Sequence, residues 1–217
     1  MSRPPFLSTT FAARRRALAV LLCGLCGTSV SPLRAQKSLR PTPAQTEGPF
    51  YPRTIPADRD ADLTQVAGHG ATAQGTRLYF AGRVVTRDGM AHAGATVELW
   101  QCDVFGRYHH VGDEGSPRDD GFQGYGVATT DADGRYAFKT IRPVAYGGRV
   151  AHLHLKVRTT SGAALTTQVY IEGDAADRDP VVAGSPKGTR EQLTMARAAA
   201  LGREAGALAG NFDIVLP

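Results

Sequence analysis

From residue 78 onward, apolar and polar positions alternate in short runs, and glycine-rich turns separate the runs. In an extended strand, neighbouring side chains face opposite ways, so such alternation predicts strands with one buried face. Leu78 to Val85 reads as the first. Ala95 to Trp100 is the second, with Thr96, Glu98 and Trp100 alternating against Val97 and Leu99. Tyr125 to Thr130, Arg135 to Ile141, Ala151 to Thr159 and Leu165 to Glu172 follow, and Phe212 to Leu216 closes the series. Turns are predicted at Arg87 to Met90, Asp131 to Gly134 and Ser161-Gly162, where glycine accepts a positive φ without steric cost. Many short strands with turns between them predict an all-β fold, an antiparallel β-sandwich with long loops. Thr189 to Leu208 is alanine-rich, with Leu193, Ala196, Ala200 and Leu201 at helical spacing. A short C-terminal helical segment is expected there, interrupted at Gly202 and Gly206.

The chain ahead of the strands divides into three. Arg14, Arg15 and Arg16 precede an apolar run from Ala17 to about Val30. That run is shorter than the roughly 20 residues a membrane-spanning helix needs. It fits an export signal, residues 1–35, with Leu33-Arg34-Ala35 as the cleavage site before Gln36. The paired arginines fit a twin-arginine signal, and an ordinary secretory signal fits as well. Cys23 and Cys26 lie within the apolar run, and no redox or metal role is read into them. Residues 36–45 are polar and proline-bearing, an extended arm. Residues 46–217 form the domain proper. Thr46-Glu47-Gly48-Pro49-Phe50-Tyr51-Pro52 is excluded from a helix by its prolines and glycine, and its two aromatics need a surface to pack on. Asp58 to Thr76 is a loop.

Charge changes meaning once residues 1–35 are set apart. The sequence holds 25 basic and 20 acidic residues, a net +5. All of that excess lies in Arg3, Arg14, Arg15, Arg16 and Arg34, so the part from Gln36 onward carries 20 of each sign. The basic excess is therefore no argument for a nucleic-acid partner. Only Cys102 remains in that part, which excludes an intramolecular disulfide and leaves stability to the core.

Candidate chemistry concentrates in two stretches. His152 and His154 are two apart, so both project from one face while Leu153, Leu155 and Val157 project from the other. Two such imidazoles can share one metal ion, and imidazole suits iron, zinc, copper and nickel alike. The same pair also fits the polar face of an ordinary strand. The second stretch is Trp100 to His110. Gly106 allows a sharp turn that would aim Tyr108 inward, and His109 and His110 read as surrounding rather than ligating groups. A phenol ionises near pH 10. A trivalent cation would bring that pKa far down. Two phenolates with two imidazoles would favour Fe(III).

Six segments in this order resemble the intradiol ring-cleavage dioxygenases. They are Thr42 to Phe50, Val97 to Tyr108, Thr130 to Pro143, Arg149 to His154, Thr167 to Asp174 and Asn211 to Leu216. The resemblance implies a non-haem Fe(III) centre held by Tyr108, Tyr146, His152 and His154. It implies Tyr146 as a ligand that also accepts a substrate proton, Arg149 as the stabiliser of negative charge and Gln168 as the orienting amide. Thr46, Pro49 and Phe50 would wall the substrate pocket. The substrates would be a catechol and O2, and the product a cis,cis-muconate-type diacid. Only five residues separate Tyr146 from His152, and Pro143-Val144-Ala145 and Val150 depart from the family's usual prolines. Tyr125 and Tyr136 are the alternatives for the second phenol, although Tyr136 falls in a packing position of its strand.

A different class fits the scaffold strands alone. Gly82 to Val85, Gly94 to Leu99 and Asp131 to Phe138 also resemble transthyretin-like exported modules, which bind partners without catalysis. Tyr108, His152, His154 and Gln168 separate the two, since a binding module has no need of them. A zinc or copper site on the histidines is a third reading. The export signal places the protein in the periplasm or outside the cell, with no membrane span after its removal. The expected outcome is a secreted protein whose first residue lies near Gln36, as N-terminal sequencing would read it. An intact Met1 on soluble cytoplasmic protein would refute it.

Overall fold

The computed structural model describes residues 38–113 and 115–217. The expected export signal, residues 1–35, and the two cysteines within that stretch lie outside them. Six long strands form where the alternation places them. They are β1 (Arg77–Val85), β2 (Thr96–Trp100), β3 (Tyr125–Thr129), β4 (Arg135–Ile141), β5 (His152–Arg158) and β6 (Ala164–Ile171). Two short helices follow, α1 (Pro180–Ala183) and α2 (Thr189–Leu193), after a single 3-10 turn at Ala176–Arg178. Four short strands complete the order: β7 (Thr194–Met195), β8 (Arg197–Ala199), β9 (Leu208–Asn211) and β10 (Ile214–Val215).

The strands make two sheets. In the first, β1 is central: β4 pairs antiparallel along one edge, and β9 and then β10 pair parallel along the other, with β8 outside β9. The second runs β3-β2-β5-β6-β7, antiparallel except for the last pair. The core takes Leu78, Phe80, Val84, Tyr136 and Phe138 from the first sheet, and Val97, Leu99, Leu153, Leu155, Val157 and Val169 from the second.

The C-terminal helical expectation is met only at Thr189–Leu193. Beyond it the alanine-rich chain turns extended, because β7 completes the edge of one sheet beside β6 and β8 pairs with β9 in the other. A helix of a dozen residues is marginal on propensity alone, and strand pairing supplies partners that an isolated helix lacks. Among the described residues no helix is long and apolar enough to cross a membrane.

The second sheet has an outer face, and β-register decides what stands on it. Trp100 pairs with His154, and Glu98 with Lys156. His154 pairs in turn with Gln168, and His152 with Tyr170. Directly opposed residues share a face. Trp100, Glu98, His152, His154, Gln168 and Tyr170 therefore form one polar and aromatic field behind the apolar core face. The arm starts against the first sheet, where Thr42 N–H donates to the Val215 carbonyl at 2.9 Å, and then crosses onto this field, where Gln45 N–H donates to the Thr166 carbonyl at 2.9 Å.

β1 accommodates the closing segment through Gly82. The Phe212 carbonyl approaches so closely that a Cβ on Gly82 would stand 1.9 Å from its oxygen. Phe212 N–H donates to the Ala81 carbonyl, and the Tyr136 hydroxyl donates to the Phe212 carbonyl at 2.6 Å. Gly82→Ala is expected to destabilise the fold by about 3 kcal/mol, since neither partner is a side chain free to swing away. Urea unfolding of the two proteins checks this, and an unchanged midpoint would show that β1 and the closing segment part at little cost.

Candidate active site

Three segments deliver the reactive side chains. β5 supplies His152 and His154, the turn after Asp103 supplies Tyr108, and the hairpin before β5 supplies Tyr146 and Arg149. At the Asp103 turn, the carboxylate accepts the Phe105 and Arg107 N–H groups at 2.8 and 2.9 Å. Gly106 takes φ +74°, and its Cα faces the Tyr146 Cβ so closely that an added Cβ would lie 3.0 Å away. Tyr146 and Arg149 exchange both backbone hydrogen bonds, at 3.1 and 2.7 Å, around Gly147 and Gly148. Both glycines have positive φ, 52° and 80°. That is the primed two-residue hairpin turn, which asks for positive φ at both central positions. It explains how so short a loop reaches the site: the two glycines reverse the chain in the least possible length, and Tyr146 and Arg149 emerge as a cross-strand pair.

The four donor atoms converge. Tyr108 Oη lies 3.1 Å from Tyr146 Oη. Tyr146 Oη lies 3.5 Å from His152 Nε2, and His152 Nε2 lies 3.1 Å from His154 Nε2. His152, His154 and Tyr108 are 1, 2 and 2 % exposed, so water is all but excluded from three of the four. His152 Nδ1 lies 2.6 Å from the Val150 carbonyl. A carbonyl only accepts, so Nδ1 carries the proton and Nε2 keeps its lone pair facing the cluster.

Burial sets the charges. It holds His154 well below the usual imidazole pKa, with His152 and Arg149 adding to the effect. It pushes His152 down to about 4. It also holds Tyr108 well above the ordinary phenol value, reinforced by the neighbouring Tyr146. Tyr146 rises for the same reason, and its contacts with Tyr108 and Arg149 oppose the rise. The pocket thus holds neutral imidazoles and two phenols whose ionisation needs a cation. Among the described residues no three His, Cys, Asp or Glu side chains gather as a metal site. The phenols are what complete the set, and hard anionic oxygens with imidazoles suit a ferric ion.

The other tyrosines are engaged elsewhere. Tyr125 donates to Glu98 at 3.0 Å and Tyr136 to the Phe212 carbonyl. His110 Nδ1 accepts the Gly112 N–H at 2.9 Å, and His109 Nε2 lies 3.8 Å from Asp103.

The remaining expected residues surround the cluster. Phe50 stacks on Tyr108 with ring centroids 4.7 Å apart. The Thr46 carbonyl accepts Gln168 Nε2 at 2.8 Å. Pro49 sits between them on the arm, exposed. Arg149 Nη2 donates to Gln168 Oε1 at 2.6 Å. Sequence reasoning missed several supports. Trp100 stacks on His154 at 4.8 Å. Glu98 accepts the Tyr51 hydroxyl at 2.6 Å and pairs with Arg158, which pins the arm beside Phe50. Asp179 bonds Arg149. Period two puts Trp100 with Glu98, and Gln168 with Tyr170, on one face of their own strands, and the pairing with β5 makes that the histidine face; nothing local marks Asp179.

The Dioxygenase family profile matches residues 46–217. The protocatechuate 3,4-dioxygenase beta chain of Burkholderia cepacia is 36% identical over 167 residues, which cover 72% of this chain and 71% of that one. Catechol 1,2-dioxygenase 1 of Acinetobacter lwoffii is 32% identical over 160 residues, and there the match spans 61% of this chain and 47% of the relative. Among solved structures, the dioxygenase domain of a dioxygenase carbohydrate-binding protein fusion from Streptomyces sp. SirexAA-E superposes with a TM-score of 0.61 at 29% identity, covering 82% of this chain and 98% of that one. Catechol 1,2-dioxygenase from Pseudomonas arvilla C-1 gives 0.60 at 27%, covering 81% and 62%.

The buried imidazoles predict a pH effect on the metal-free protein. In the unfolded chain both histidines titrate near 6.5, and in the fold His152 titrates near 4. Between those values the unfolded state binds more protons, so stability is complete above about pH 6.5 and falls as the pH drops towards 4. His152 alone should account for a loss on the order of 3 kcal/mol. Urea midpoints from pH 7.5 to 4.5 should show the fall, and it should be shallower but not abolished in His152→Asn, since His154 is also held below the usual imidazole value. An equal fall in that variant would assign the effect to other groups.

Proposed function

The chain belongs to the intradiol ring-cleavage dioxygenases, and from that premise we propose that it opens the ring of a catechol between the two hydroxyl-bearing carbons. O2 is the co-substrate and a cis,cis-muconate-type diacid the product. The observation that carries the reading is the convergence of two buried phenols and two neutral imidazoles, with the lone pair of His152 turned inward. Those four side chains, Tyr108, Tyr146, His152 and His154, would hold a non-haem ferric ion. Bound there, Fe(III) supplies Lewis acidity towards a chelated catecholate and an acceptor for its electron density.

The chain's own residues divide the other tasks. Held as a phenolate by the ferric ion, Tyr146 would take a proton from a catechol hydroxyl and leave as the neutral phenol; it is the more exposed of the two phenols. Tyr108 is buried, stacked on Phe50 and carried by the Asp103 turn, and would remain a ligand throughout. Arg149, permanently charged, stabilises negative charge that develops on the substrate. Gln168 orients the substrate through the N–H that Thr46 leaves free. Phe50, Pro49 and Thr46 close the arm over the ring and keep bulk water from the reacting carbons. Export through residues 1–35 would set this reaction outside the cytoplasm.

Phenylalanine substitutions test the two phenols separately. Tyr108→Phe should lose iron and the visible charge-transfer colour together. Tyr146→Phe should retain iron with a weaker band and lose turnover by about 10²- to 10⁴-fold, the range for a missing proton acceptor. Iron content, the visible spectrum and single-turnover cleavage of catechol measure all three. A Tyr108→Phe protein indistinguishable from wild type would remove the proposed ligand set. A Tyr146→Phe protein indistinguishable from wild type would pass the proton to another group.

A further inference from the structure

Asp179 has no part in the reaction set out above, yet its carboxylate is wholly buried. It accepts three hydrogen bonds. Oδ1 takes the Val181 N–H at 3.0 Å, which caps α1. Oδ2 takes Arg149 Nε at 2.8 Å and the Val150 N–H at 3.1 Å. A cap needs one oxygen, and serine, threonine or asparagine provides it as well as aspartate does. The second oxygen is spent on Arg149 and on the backbone two residues before His152.

The consequence for Arg149 is geometric. A guanidinium is a flat, rigid fork, so a bond at Nε fixes its plane and the direction of both terminal nitrogens. Nη2 then meets Gln168 Oε1 at 2.6 Å. With its oxygen taken, the Gln168 amide can present only its nitrogen to Thr46, at 2.8 Å. One continuous line of bonds thus runs from the segment after β6, through Arg149 and Gln168, to the arm that covers the site. A carboxylate at its head also offsets the buried positive charge, which a neutral cap would leave uncompensated.

We infer that Asp179 is a positioning residue: it fixes the plane of the Arg149 guanidinium, and through it the Gln168 amide, towards the bound catechol. The inference rests on the function proposed above. The test is a double-mutant cycle on the iron-loaded protein with catechol and O2: wild type, Asp179→Ser, Arg149→Lys and the double variant. Asp179→Ser keeps the cap of α1 but cannot reach Arg149. It should retain iron content and the visible band. Its KM should stay within about threefold while kcat falls about tenfold to a hundredfold, less than the loss of a whole charge-stabilising donor. In the Arg149→Lys background, where the fork is already gone, the same substitution should change kcat by less than about twofold. Wild-type kcat in Asp179→Ser, or an equal loss in both backgrounds, overturns the inference. Should Asp179→Ser not fold, Asp179→Thr, which likewise caps α1 with one hydroxyl and does not reach Arg149, takes its place in the cycle under the same outcomes. A wild-type protein that cleaves no catechol overturns the proposed function itself, whereas an active wild type with an additive cycle overturns only the role of Asp179.

Discussion

Neighbouring residues of a strand face opposite ways, and in β5 that constraint joins the core to the candidate site. Leu153, Leu155 and Val157 are buried among the apolar side chains of both sheets. Because they are, His152 and His154 must stand on the outer face, two residues apart and side by side. A slip of one residue would exchange the two sets, burying imidazoles in the core and exposing leucines. The register that fills the core is therefore the register that aims the histidines. Gln168 and Tyr170 follow from it, since β6 is locked to β5 by seven paired residues.

An outer sheet face is ordinarily wet. Here the arm covers it, held by backbone bonds at Thr42 and Gln45, by Gln168 Nε2 on the Thr46 carbonyl, and by the side chains of Glu47 and Tyr51. The cover is what lowers the local dielectric, and the low dielectric is what keeps the histidines neutral and the phenols protonated. Core packing sets where the donors are, and the arm sets what charge they carry. Glu98 serves the second purpose from a distance: it accepts from Tyr51 and Tyr125 and pairs with Arg158, so its own burial is compensated.

The long strands were legible because each carries its own alternation, and β4 appears with the bounds read from its residues. The cluster at Tyr108, His152 and His154 was legible because a tight turn and a His-x-His pair leave local marks. Tyr146 was less so: its place depends on Gly147 and Gly148 forming one particular turn, and two glycines permit many. The alanine-rich stretch after Thr189 was misleading, since intrinsic propensity favours a helix and strand partners distant in sequence decide otherwise. Asp179 could not be read at all. Its meaning lies in a contact with Arg149, 30 residues away. The parallel pairing of β9 and β10 with β1 is hidden for the same reason.

The bond between Thr42 and Val215 joins the two extremes of the described chain. Thr42 donates to Val215 through its N–H and accepts from it through its hydroxyl, so the start of the arm is tied to β10 and not to the sheet that carries the histidines. Gln45 and Thr46, three and four residues on, are tied to β6 of the other sheet. The arm is thus a strap between the two sheets, and a shift of one sheet against the other would pull on the cover of the site before it reached the histidines themselves.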